Sequence, residues 1–157
     1  MVSVILSAQS TDVSVNKATK NLFKIAGNPK QFLNLGKIQL TKYIKTIGLY
    51  NTKAKNILSL CKILINDYNN KVPHEFAKLI KLPGVGNKTA SVYQNAILNK
   101  PRIAVDTHVF RVSNRIGLVK ENDTNKTQYR LEKIIPLKWK YKAHQQLILH
   151  GRRICKA

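Results

Sequence analysis

Acidic side chains are scarce in this chain: 7 Asp and Glu stand against 28 Lys and Arg, a formal net charge of +21. Such a chain repels itself unless it meets a polyanion. The basic residues run through the whole sequence, so the charge is not a disordered tail on a neutral domain. Nucleic acid is the leading partner; a ribosomal or anionic-membrane role competes with it. Abundant Lys, Asn and Ile are also what an AT-rich genome encodes, so part of the charge can be codon drift. Thiols are scarce too, with only Cys61 and Cys155. That excludes a disulfide framework and fits a reducing compartment. No apolar run approaches membrane-spanning length. Residues 1–6 are apolar but lack a basic leader and a cleavage site, which argues against a signal peptide. The expectation is a soluble cytoplasmic protein with no membrane partner. Strand-like alternation, internal repeats and low-complexity tracts are absent as well.

What is present is helical periodicity. At 157 residues the chain is long enough for one ordinary domain or two small ones sharing a core. Residues 1–8 read like the second half of a buried helix. Thr11 or Asp12 caps the next, with Val15, Ala18, Leu22 and Phe23 on one face and Gly27 at its end. A helix over 32–47 stops at Gly48. Asn51 or Thr52 opens another, whose Ala54, Ile57, Leu58, Cys61, Leu64 and Ile65 form a wide apolar stripe. Pro73 begins a short helix with Phe76, Leu79 and Ile80. Further helices are expected over 89–98, from an Asp106 cap to Arg115, from a Thr124 cap to Pro136, and over 139–150. Asn99-Lys100-Pro101 is the clearest break. The fold class is therefore all-α, in two helical domains, 1–100 and 101–157.

The chain has seven glycines, and two fall in Leu82-Pro83-Gly84-Val85-Gly86-Asn87-Lys88-Thr89-Ala90. Gly84 and Gly86 allow backbone angles that a side chain forbids, and let a partner's backbone come close. The turn opens a helix, whose amides and positive N-terminal end suit a phosphate. Such contacts position a nucleic acid without reading its sequence. Gly-x-Gly alone is more often a plain turn; a basic helix start in so basic a chain shifts the balance.

Lys88 sits in the first turn of that helix, where the dipole disfavours a further positive charge and favours the free amine, the nucleophilic form. Asp106 lies just ahead of another helix. It is expected to be an N-cap in any case. If one oxygen caps, the other can face the site, stabilise a cationic intermediate and manage protons.

Four segments carry a family resemblance. They are Leu6-Ser7-Ala8-Gln9-Ser10-Thr11-Asp12, Tyr43-Ile44-Lys45-Thr46-Ile47-Gly48-Leu49-Tyr50-Asn51, the hairpin from Leu82 to Ala90, and Ile103-Ala104-Val105-Asp106-Thr107-His108-Val109-Phe110-Arg111-Val112. The chain resembles, over residues 4–155, the bacterial endonuclease III family. These are bifunctional DNA glycosylase/AP lyases of the helix-hairpin-helix superfamily. The resemblance implies a six-helix-barrel-like first domain, with the helix-hairpin-helix at 79–98, and a second, incomplete helical domain. It implies a partner, duplex DNA carrying a damaged pyrimidine or an abasic site, acted on by a monomer in the bacterial cytoplasm at the nucleoid. An oxidised pyrimidine is flipped out of bent DNA. Lys88 matches the lysine that attacks the sugar C1′, forms a Schiff base and cuts on the 3′ side by β-elimination. Asp106 matches the catalytic carboxylate. Gln9 matches the residue that fills the gap left by the flipped base, and Leu49 the apolar wedge in the opposite strand. Gly84, Val85, Gly86 and Thr89 match the phosphate-holding hairpin. His108 and Arg111 are candidates to face the DNA backbone.

The family also carries a 4Fe-4S cluster near its C-terminus, held by Cys-x6-Cys-x2-Cys-x5-Cys. Cys155 matches the first of those ligands, and the other three are absent. One cysteine cannot hold a cubane, so no cofactor is expected in this chain. The match also begins inside the family's first helices, so the chain is expected to be shortened at both ends. Alongside the enzyme, a non-catalytic helix-hairpin-helix DNA-binding module or a decayed remnant stays open.

Overall fold

The computed structural model describes all of residues 1–157. It contains nine helices and no strand. By internal contacts the chain forms two compact units, Met1–Gly86 and Asn87–Ala157.

The first unit holds α1 (Val2–Ser7), α2 (Asp12–Ile25), α3 (Pro29–Ile44), α4 (Tyr50–Asp67) and α5 (Phe76–Leu79). Short polar residues start α2 and α3. Thr11 Oγ1 accepts from Ser14 N at 3.3 Å. Asn28 Oδ1 accepts from Gln31 N at 3.0 Å, while Gln31 Oε1 accepts in turn from Gly27 N at 2.8 Å. That reciprocal pair, with Pro29 pre-set for the first helical position, starts α3 firmly. The most extensive helix pairing in this unit is α3 with α4. Leu6, Leu22, Leu40, Ile44, Ile57, Leu60 and Leu79 are fully buried in this unit, each contributing about 1.5–3 kcal/mol by leaving water. Two expectations need correction. Phe23, expected on the buried face of α2, is 41% exposed. The helix expected to be continuous is broken at Gly36, whose φ of 69° and ψ of 173° kink α3.

The second unit holds α6 (Asn87–Leu98), α7 (Thr107–Arg115), α8 (Thr124–Ile134) and α9 (Leu137–Arg153). Its core is Ile103, Val105, Val109, Val112, Val119, Leu131 and Leu147. The division falls at Gly86/Asn87, earlier than the break read at Pro101, because α6 is bonded forward. Ser91 Oγ accepts from Gln128 Nε2 on α8 at 2.8 Å. Asn95 exchanges two bonds with the Arg102 backbone, at 2.6 and 2.9 Å. Glu132 accepts from Ile103 N at 3.0 Å and pairs with Arg102 and Lys140. Pro101 lies in the non-helical segment between α6 and α7. The cap of α8 is Asp123 rather than Thr124: its Oδ1 accepts from Asn125 N and Lys126 N at 2.8 and 3.0 Å.

Candidate active site

The glycine turn hangs from the end of α5. Leu82 and Val85 are buried and anchor it, and Val85 N donates to Leu82 O at 3.0 Å. Gly84 has a φ of +76°, and a Cβ there would lie 3.0 Å from Asn56 Cβ on α4. Conformation and space both require glycine at that position. Gly86 differs. Its φ lies outside the left-handed region, and a Cβ there would meet nothing within 4 Å. The expected special backbone angle therefore holds at Gly84 only, and the chain's own packing gives no reason for a bare backbone at Gly86.

Gln9 and Leu49 sit on two loops of the first unit. Both are exposed, and both hold the left-handed backbone without being glycine, at φ 52° and 58°. That conformation costs on the order of 1 kcal/mol for a residue with a Cβ, and such strain gathers at functional positions. Gly48 brings the loops together: a Cβ there would lie 3.4 Å from Gln9 O.

In the second unit, α6 starts immediately after Gly86. Lys88 is its second residue and is exposed, while Thr89 is half-buried. The first amides of a helix have no partner within it, so they and the dipole make this end attractive to anions. Asp106 is the N-cap of α7: its Oδ1 accepts from Val109 N at 2.8 Å, and Oδ2 stands outside that cap. Arg111 is occupied by its own chain. Its guanidinium donates to Gly151 O at 2.8 Å and to Cys155 O at 2.7 and 3.2 Å, closing the C-terminus of α9. It also approaches Nδ1 of the half-buried His108 at 3.3 Å.

A histidine not singled out in the sequence feels the charges of both candidate catalytic groups. His144 on α9 is buried, and its Nδ1 is the buried side-chain polar atom that has no hydrogen-bond partner. Burial pulls its pKa below 6.5; the charge of Asp106 opposes this and that of Lys88 adds to it. The native imidazole thus stays neutral at a pH where the unfolded chain binds a proton. The stability this confers is complete above pH 6.5 and declines as pH falls below it, levelling off beneath the native pKa. His144→Gln is expected to flatten that decline by up to about 1.4 kcal/mol per pH unit in melts at graded acidic pH. Equal slopes in the two proteins would refute this. The spacing of His144, Leu147 and Gly151, all buried on one helical face, is the signal that marks the histidine as interior.

The donors of this chain do not fit an iron–sulfur cluster. Cys155 follows α9, and its thiol is drawn below its ordinary pKa by a hydrogen bond from Arg115 at 3.4 Å and by the Arg115 and Arg111 charges. Cys61 is buried in α4, its thiol pushed up to about 11 by burial. No group of three or more His, Cys, Asp or Glu converges to hold a metal. A cubane needs four ligands. No helix is long and apolar enough to cross a membrane.

Residues 2–137 match the HhH-GPD superfamily base excision DNA repair protein family. The chain is 58% identical to the endonuclease III of Rickettsia conorii, over all 157 residues and 75% of that protein. It is 48% identical to the Escherichia coli K12 endonuclease III, over 99% of this chain and 74% of that one. A solved structure of a trapped endonuclease III–DNA covalent intermediate, an estranged-adenine complex, superposes with a TM-score of 0.93 at 44% identity, covering 99% of this chain and 74% of the other. A thermostable thymine-DNA glycosylase superposes with a TM-score of 0.86 at 26% identity, over 99% and 75%.

Proposed function

The chain belongs to the HhH-GPD superfamily of base excision DNA repair proteins, and from that premise we propose that it is a DNA glycosylase/AP lyase. It removes oxidised pyrimidines from duplex DNA and cuts 3′ to the resulting abasic site through a lysine Schiff base. Its place of action is bacterial DNA in the cytoplasm. The observation that carries the reading is local: an exposed lysine in the first turn of α6, directly after the glycine turn, and, in the same unit, a carboxylate whose second oxygen is outside its cap.

Lys88 Nζ, as the free amine, attacks C1′, and the bond from C1′ to the base breaks with its electron pair leaving on the base. The amine then gives up its proton and the sugar ring opens to the imine. Loss of a C2′ proton expels the 3′ phosphate, and water releases the enzyme. Asp106 Oδ2 stabilises positive charge developing on the sugar and takes up protons, while Oδ1 keeps the carboxylate oriented. Gly84, Val85, Gly86 and Thr89 hold a phosphate through the turn and the helix start. Gln9 enters the gap left by the extruded base and Leu49 wedges the opposite strand. The net charge of +21 supplies the sequence-independent attraction for DNA and makes it salt-dependent.

The chain incubated with a duplex carrying thymine glycol or an abasic site should cut it, and borohydride should trap a covalent complex. Folded protein that yields neither product nor adduct would sink the enzymatic reading, and binding without chemistry would favour a DNA-binding module. Asn caps a helix about as well as Asp, so Asp106→Asn separates the two jobs of that residue. Base excision should fall by about 100-fold or more while duplex affinity and melting temperature hold. Parallel loss of all three would reduce Asp106 to a cap.

A further inference from the structure

Lys53 is the buried charge that the proposed mechanism does not use. It lies in the first turn of α4 and is only 5% exposed. Its ammonium donates to Leu6 O at 2.9 Å, Ala8 O at 2.6 Å and Ser10 Oγ at 2.9 Å. An ammonium has three donors, so every one is used, and no carboxylate pairs with it. Burial draws its pKa below the usual lysine value. Burying a cation without a counter-ion is expensive. A local C-terminal cap on α1 would close the helix without that expense. The acceptors explain the choice. Ala8 and Ser10 flank Gln9 on either side, and Leu6 lies in the last turn of α1. The same residue is joined to the other loop through its backbone, since Lys53 N donates to Leu49 O at 2.9 Å.

We propose that Lys53 is a positioning residue that fixes Gln9 and Leu49 relative to one another, so that both enter the duplex in one step as the damaged base leaves. The proposal rests on the reading of those two residues as gap-filler and wedge. Lys53 ties together two exposed residues that each hold a strained left-handed backbone. Released from the ammonium, Gln9 would relax toward an extended or right-handed conformation and carry its side chain away from Leu49, which stays bonded to the Lys53 main chain. A methionine would fill the same volume and donate nothing. An arginine's flat fork does not match acceptors gathered around a single point.

The test uses the full chain and three readouts. Extrusion is followed as the swinging-out of a tetrahydrofuran abasic sugar in a duplex, read by the fluorescence of the 2-aminopurine left opposite it. Base excision is followed on a thymine glycol duplex under single-turnover conditions. Lyase action is followed on a single-stranded abasic oligonucleotide, which has no opposite strand to wedge. Lys53→Met should lower extrusion and duplex excision by about 10- to 100-fold, the scale of a misplaced reacting geometry, and change single-strand cleavage far less. Added to Gln9→Ala with Leu49→Ala, it should cause no further loss of extrusion. Ser10→Ala, which removes one acceptor and spares the fold, should show the same pattern more weakly. Equal losses on duplex and single strand, or full additivity with the loop variants, would overturn the proposal in favour of a merely structural lysine. If the loop variants lose extrusion and neither Lys53→Met nor Ser10→Ala does, the positioning role alone falls. If the loop variants themselves extrude normally, the reading of the loops falls and the role of Lys53 with it.

Discussion

Lys88→Gln should leave no borohydride-trapped complex on an abasic duplex and should lower strand cleavage by roughly 10³-fold or more, the scale of removing a covalent catalyst. No other group in the proposed mechanism can form an imine, so the loss should be a loss of rate rather than of affinity. Binding should weaken little, because Lys88 is one of 28 basic residues and a single phosphate-facing lysine changes the salt slope by about one unit. Lys88→Arg sharpens the test. It restores the charge at the start of α6, but a guanidinium stays protonated and is no nucleophile. Rescue of binding without rescue of trapping is the expected pair of results. An adduct that persisted in both variants, mapped by peptide digestion to another amine, would remove Lys88 from the chemistry.

The second large effect is on stability. Gly151 lies in α9 where that helix crosses α7. A Cβ there would sit 2.9 Å from His108 Cβ and 3.0 Å from Val112 Cγ2, with His108 Cα at 3.4 Å. The first and last of these belong to atoms fixed to the α7 backbone and cannot swing aside. Overpacking of this kind costs about 1–3 kcal/mol and occasionally more. For Gly151→Ala a gain of about 1 kcal/mol in helix propensity offsets part of that. Gly151→Val has no comparable offset and adds two methyl groups. It should lower the melting temperature by about 6–12 °C, at roughly 2–4 °C per kcal/mol for a chain of this size. The damage should reach the C-terminal closure as well, because Gly151 O accepts from Arg111. An unchanged melting temperature would show that the helices separate freely at this crossing.

Sequence legibility followed distance along the chain. The Asp106 cap was readable because its partner, Val109 N, is three residues away. Gly84 was readable because a turn opening a helix demands a positive φ, although its contact with Asn56 was not. Arg111 read as a backbone-facing cation, since the carbonyls that hold it are 40 and 44 residues distant. Lys53 drew no notice in the sequence for the same reason: its acceptors lie 43 to 47 residues away, and two are main-chain carbonyls with no side-chain identity to read. A signal was present nonetheless. Lys53 stands four residues before Ile57 and seven before Leu60, on the buried stripe of α4. A charge in register with a core face is worth a question. Pro101 is legible as a local breaker, whereas the bonds that tie α6 to residues ahead of it, such as Ser91 to Gln128, are 37 residues long and leave no local mark.

The first unit also has a ruler. Leu49 caps the start of α4, Lys53 stands one turn in, and Asn56 meets Gly84 of the hairpin one turn further. From Leu49 to Asn56 is seven residues, about 10 Å of helix axis at 1.5 Å per residue. Three base-pair steps rise about the same distance along the DNA axis, at about 3.4 Å each. The strained Leu49 and the side chain that seats Gly84 are therefore two marks on a single helix, and the distance between them cannot drift unless that helix unwinds.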